Sequence, residues 1–202
     1  MKRQGKWLLP VAVLVLSMMA TAPGAFGQAQ HVRWDIVSLN FTTTPPTSSP
    51  GGFSDASAPN NGGKIRLTGF GTFVASAGRG GGSNAVTGGG TWETFDAANV
   101  STGSGTYAVK ELVRFEFANS QTPGSLIDNI GNQAETANGY AVLRIEYNDG
   151  GQGVLGVYCH GPGAPDGIAE GISATKGFKT YVEVLGPAPG VDANRTLFHV
   201  MH

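Results

Sequence analysis

Two short segments repeat the same pair of opposite charges two residues apart, Arg114 with Glu116 and Arg144 with Glu146. Side chains two apart on a strand project from one face. Each pair therefore shares a face, and antiparallel pairing in a suitable register would set each Arg against a Glu. Two arrangements fit. The charges form ion pairs on a solvated outer face, or they line a barrel interior and hold an anionic or polar ligand. The second requires the Phe115/Phe117 face to pack outside. Glu111 falls on the apolar-face parity, which would point one more carboxylate inward.

A second group lies in the Gly/Pro-rich stretch 158–176, which carries Cys159, His160, Asp166, Glu170 and Lys176. Loops held by a rigid sheet commonly carry binding groups. His160 with Glu170 or Asp166 reads as an acid–base pair able to move a proton near neutral pH. Cys159 and His160 are adjacent, so on a strand they point to opposite faces and make no nucleophile–base dyad. The plainer reading of this stretch is a structural loop.

Other chemistries lack their signatures. His31, His160, His199 and His202 show neither HxH nor HxxxH spacing, so no metal is expected. No DxDxDG run suggests calcium, and no GxSxG motif suggests a hydrolase of that class. The Gly-x-Gly-x-Phe at 69–73 does not open a helix within a βαβ unit, so it is no nucleotide fingerprint. No cofactor is expected. Cys159 is the only cysteine, which excludes an intramolecular disulfide and CxxC chemistry; it reads as a small buried hydrophobe. Asn-x-Ser/Thr triplets begin at Asn40, Asn99 and Asn194, relevant only where exported proteins are glycosylated.

Strands must position these groups. Val32, Trp34 and Ile36 alternate, and then Val37, Leu39 and Phe41 continue on the other parity, so a bulge is expected near residues 36–37. Residues 42–63, with four prolines and four glycines, read as a loop without helix or paired strand. Lys64–Ala75 and Ala85–Phe95 read as a glycine-bearing hairpin, glycine marking bends where a sheet curls. The longest pattern is Thr106–Ala118, with Tyr107, Val109, Val113, Phe115 and Phe117 on one face and Lys110, Leu112, Arg114 and Glu116 on the other. Tyr140–Tyr147 and Gly153–Cys159 flank an Asn148–Gly151 hairpin turn. Phe178–Leu185 and Thr196–Val200 bring the count to about eight strands. Only 166–176 and 124–136 leave room for a short helix.

This pattern predicts an all-β fold, a single antiparallel barrel of about eight strands over residues 28–202, with a two-sheet sandwich as the alternative. Trp34, Tyr107, Val109, Val113, Phe115, Leu143, Ile145, Leu155 and Val157 are the expected core. In architecture alone the pattern resembles exported barrels such as lipocalins, dirigent proteins and allene oxide cyclases. None of their motifs is present, so the resemblance implies no site.

Residues 1–27 read as a secretory signal peptide: Lys2, Arg3 and Lys6, an apolar run from Trp7 to Ala20, then Ala25-Phe26-Gly27 before Gln28. The apolar run is short for a membrane span. With that segment removed, thirteen basic residues become ten against fourteen acidic ones, a formal charge of −4. That balance speaks against nucleic acid and anionic membranes as partners and leaves a small molecule. The leading functional expectation is a secreted, non-enzymatic binding or interaction domain, with Arg114, Glu116, Arg144, Glu146, His160 and Glu170 as candidate ligand-binding residues. The runner-up is a small exported lyase, isomerase or cyclase, and a structural envelope or matrix role follows.

Overall fold

Low charge density, β-branched runs and glycine at the bends favour extended chain, and a computed structural model is 60 % strand and 2 % helical. It describes residues 29–60, 62–75 and 82–201, so the expected signal segment lies outside the described residues. In chain order the strands are β1 (Gln30–Asn40), β2 (Thr47–Pro50), β3 (Ser54–Ser57), β4 (Lys64–Leu67), β5 (Phe70–Ala75), β6 (Val86–Phe95), β7 (Ser101–Ser120), β8 (Ile127–Asp128), β9 (Thr136–Tyr147), β10 (Gln152–Cys159), β11 (Gly171–Lys176), β12 (Lys179–Tyr181), β13 (Glu183–Val184) and β14 (Thr196–Met201).

Six of them close an antiparallel barrel, in the order β1, β5, β6, β7, β9, β14 and back to β1. β6 and β9 belong to the ring over only part of their length. β6 pairs with β5 through Val86–Gly89 and with β4 through Trp92–Phe95. β9 gives Thr136 and Ala137 to β14 and Gly139–Glu146 to β10. Two wings grow from these shared strands, β4–β3–β13 and β10–β11–β12. The wings are joined covalently, since only Val182 separates β12 from β13. One apolar cluster fills both regions, running from Trp34, Phe73 and Phe198 in the ring to Ile65, Leu155, Val157 and Ile172 in the wings.

The all-β barrel class agrees with the expectation, although the closed ring holds six strands. Most expected core residues are buried, and β9 keeps the predicted alternation through Ala141, Leu143, Ile145 and Tyr147. Val113 is a correction: it is 38 % exposed and Leu112 is buried in its place. Register shifts between Val109 and Glu111 and between Leu112 and Arg114 each insert one residue. Inward positions therefore fall at 109, 112 and 115, and Glu111 turns outward.

The phase change in β1 has a different origin from the expected bulge. Through Ile36 the strand pairs with β14 and through Asp35 with β5, and from Val37 onward it pairs with β2. Stretch 42–63 holds β2 and β3, strands built from Ser, Thr and Asp that apolar periodicity does not reveal. Stretch 166–176 ends in β11 in place of a helix, and the helical part of 124–136 is a three-residue 3₁₀ turn at Gln133–Glu135 that follows β8.

Two glycines permit a close crossing of β5 with its neighbours β1 and β6. Gly71 lies beside Trp34 in the ladder, where a Cβ would stand 2.9 Å from the indole Nε1 and 2.2 Å from the Thr87 carbonyl oxygen. Its partner Gly88 has φ of +107°, a conformation that L side chains rarely adopt.

Candidate functional site

The charged faces of β7 and β9 point to solvent. Arg114 Nε donates to Glu116 Oε1 at 2.8 Å on its own strand. Arg144 reaches across to Glu111 at 3.1 Å, and Glu146 pairs with Lys110 at 3.1 Å. All six are substantially exposed or rim the outer surface, over an interior filled by Leu112, Leu143 and Ile145. The interior-site arrangement for Arg114, Glu116, Arg144 and Glu146 is corrected accordingly: the bulges in β7 and the regular pleat of β9 both turn these charges outward. Exposed ion pairs of this kind are screened by solvent and add little to stability.

His160 and Glu170 do meet in a concave site. It is a pocket of about 180 Å³ where the outer half of β1 leaves the ring. Val37 and Leu39 of β1, Phe41, Leu126, Pro162 and Leu197 form apolar walls, and Gln121, His160, Glu170, Arg195 and Thr196 bring polar atoms to it. The change of partner in β1 creates the wall, because it carries Leu39 and Phe41 away from β14 toward the 121–126 segment.

Glu170 is tied to the backbone. One carboxylate oxygen accepts the His160 N–H, and the other accepts the Thr196 N–H at 2.7 Å. The expected His160–Glu170 acid–base pair is therefore a contact to the His160 main chain. The His160 ring is exposed, with Nδ1 2.7 Å from the Ile168 carbonyl oxygen. Burial pushes the Glu170 carboxyl up to about 7, against the opposing pull of the two N–H donors and the nearby Arg195 charge. Asp166 is exposed elsewhere in the same loop, whereas Lys176 sits apart, paired with Asp149 and lying over the Trp92 and Tyr147 rings.

Arg195 was not among the sequence candidates. It precedes β14, its guanidinium lies over the Phe41 ring with Cζ 5.6 Å from the centroid, and its buried Nε has no hydrogen-bond partner among the described residues. Among the described residues it forms no ion pair. An arginine just before an apolar strand gives no local sign of this position, since only the fold brings residue 195 beside 41 and 170.

Cys159 lies behind the pocket, fully buried. Gln121 Nε2 donates to its sulfur at 3.3 Å, and the thiol donates to the Thr196 carbonyl at 3.3 Å. Burial raises the thiol well above its ordinary range, which removes the reactive thiolate. A bulky maleimide is expected to label Cys159 only after denaturation. Labelling of native protein at the denatured rate, followed by intact mass, would contradict this placement.

A third polar cluster was also missed. His199 Nε2 lies 2.6 Å from Asp128 Oδ2, and Ser48 Oγ donates to Asp128 Oδ1 at 3.1 Å. The residue types match a hydrolytic triad but the order does not. Nucleophilic catalysis requires histidine between serine and acid, whereas here the carboxylate is central. It also accepts the Ile130 and Gly131 N–H groups, so the cluster pins the β8 turn against β2 and β14.

No group of three or more His, Cys, Asp or Glu side chains placed to hold a metal occurs among the described residues. No described helix is long and apolar enough to cross a membrane. Comparisons with protein-family models, curated proteins and solved structures found no match to this chain.

Proposed function

We propose that this chain is an exported, non-enzymatic binding domain that takes a small, partly apolar ligand in the pocket beside Glu170 and Arg195. The carrying observation is the convergence of polar atoms from four separate segments onto one apolar-walled concavity. Binding sites commonly combine apolar walls with a few placed polar groups. The pocket's 180 Å³ is close to the ~150 Å³ of a cavity that accepts benzene, so one ring or a short branched chain is the scale of ligand it suits. Export rests on the basic, apolar and small-residue order of residues 1–27.

A proton-transfer enzyme is the second reading, favoured by the Glu170 carboxyl near 7. A general base works best with its pKa near the operating pH. Its two backbone hydrogen bonds support the binding reading instead, because they already use Glu170 to fasten the end of β10 to the start of β14.

The test is a fragment screen by ligand-observed NMR on wild type, Leu126→Trp and Arg114→Ala. Hits are expected to disappear when the tryptophan fills the pocket and to persist in Arg114→Ala. Hits that survive Leu126→Trp in a folded variant would place binding elsewhere. Turnover of any hit would favour the enzyme.

A further inference from the structure

We infer that the ligand is a compact organic monocarboxylate, held by its carboxylate on Arg195 with its apolar body against Val37, Leu39, Phe41 and Leu126. This rests on the pocket being the binding site and specifies what it takes. Arginine stays charged at every physiological pH. Among the described residues Arg195 nevertheless has no ion-pair partner, and its Nε–H is buried without an acceptor. A guanidinium that lines a cavity and has no ion-pair partner among the described residues calls for an anion from outside.

Glu170 does not supply that acceptor. Its two oxygens are committed to the His160 and Thr196 N–H groups, and no Arg195–Glu170 ion pair forms. The guanidinium is fixed over Phe41, which holds the fork in place without neutralising it. A carboxylate matches the planar fork of arginine and can accept two parallel hydrogen bonds. The remaining walls are apolar, so the rest of the ligand must be apolar too, and the volume limits it to a single ring or short chain. A dianion such as phosphate would leave those walls unused and would face Glu170 with twice the repulsion.

Charge around the anion site comes from Glu170 on the wall, His160 at the rim, and Asp192, which accepts from the Leu39 N–H and the Ser38 hydroxyl. As pH falls through about 7, Glu170 takes up its proton and ceases to oppose an incoming carboxylate. Carboxylate affinity therefore rises on acidification, and a neutral ligand of the same shape shows a weaker dependence.

Isothermal titration with benzoate, benzyl alcohol and benzylamine, at pH 6 and pH 8, tests this. Benzoate is expected to bind more tightly than benzyl alcohol, and more tightly at pH 6. In Arg195→Gln the benzoate advantage should fall by about tenfold, the weight of one charge-assisted contact. Arg195→Lys should restore part of it. The benzoate-to-alcohol ratio in wild type tests the inference even if a variant fails to fold. Equal binding of benzoate and benzyl alcohol would overturn the carboxylate inference and leave the pocket reading standing. Preference for benzylamine would overturn it in favour of a cation on Glu170. Binding of none of the three would overturn both readings.

Discussion

Replacing Phe198 by alanine is expected to lower the unfolding free energy by about 3–5 kcal/mol, the range for deleting a buried aromatic ring. Phe198 is wholly buried on β14 and pairs with Trp34 on one side and Ala137 on the other. Its ring meets Phe115 at 5.4 Å between centroids, and Phe115 meets Phe73 at 5.2 Å. Three ring strands thus lose a common contact at once, and the closed sheet has little freedom to collapse into the space. Urea unfolding followed by tryptophan fluorescence reads the change. A loss below about 1.5 kcal/mol would mean that the barrel interior is not packed around this residue. Phe115, only half-buried, should cost less when truncated.

Glu170 is expected to make the protein less stable as pH rises toward neutrality. Its folded-state pKa of about 7 lies above the unfolded value near 4.5. Between those values the folded chain holds a proton that the unfolded chain has released, so stability declines with rising pH through this window and levels off above it. A shift of this size corresponds to at most about 3.5 kcal/mol, at about 1.4 kcal/mol per unit. The comparison to make is wild type against Glu170→Gln at pH 5, 6, 7 and 8. The variant should lose this slope while becoming less stable at pH 5 by about 1–3 kcal/mol, because an amide cannot accept from both the His160 and Thr196 N–H groups. Parallel pH profiles for the two proteins would refute the assignment.

The parts of the fold that could be read directly were those where one period held over most of a strand. β9 from Tyr140 onward alternates, and β10 does so apart from the buried Gly156, so Leu143, Ile145, Leu155 and Val157 are buried as their spacing implies. β7 misled because bulges changed the period to three without changing the residue types, moving burial from Val113 to Leu112. β2 and β3 were invisible because their strands are held by neighbouring edges and by polar side chains such as Asp55, bonded to Arg66, rather than by an apolar face. The site was half legible. The stretch 158–176 did place His160 and Glu170 together, but through the backbone of one and the carboxylate of the other. Arg195 and Phe41 could not be joined to them without knowing that β1 changes sheets.

The ring's seam sets the order in which this molecule can be assembled. β1 closes against β14, so residues from 31 to 36 meet residues from 196 to 201 across nearly the whole described chain. β1 also joins β5, but the barrel stays an open, curled sheet until β14 arrives. Contacts so distant in sequence incur a large loop-closure entropy before they return any energy, and such topologies fold slowly. During that interval both edges of the curled sheet and the apolar surface of Trp34 stand uncovered, a hazard for any crowded compartment. A polypeptide of this design profits from having its β1 edge shielded until β14 is available to close the ring.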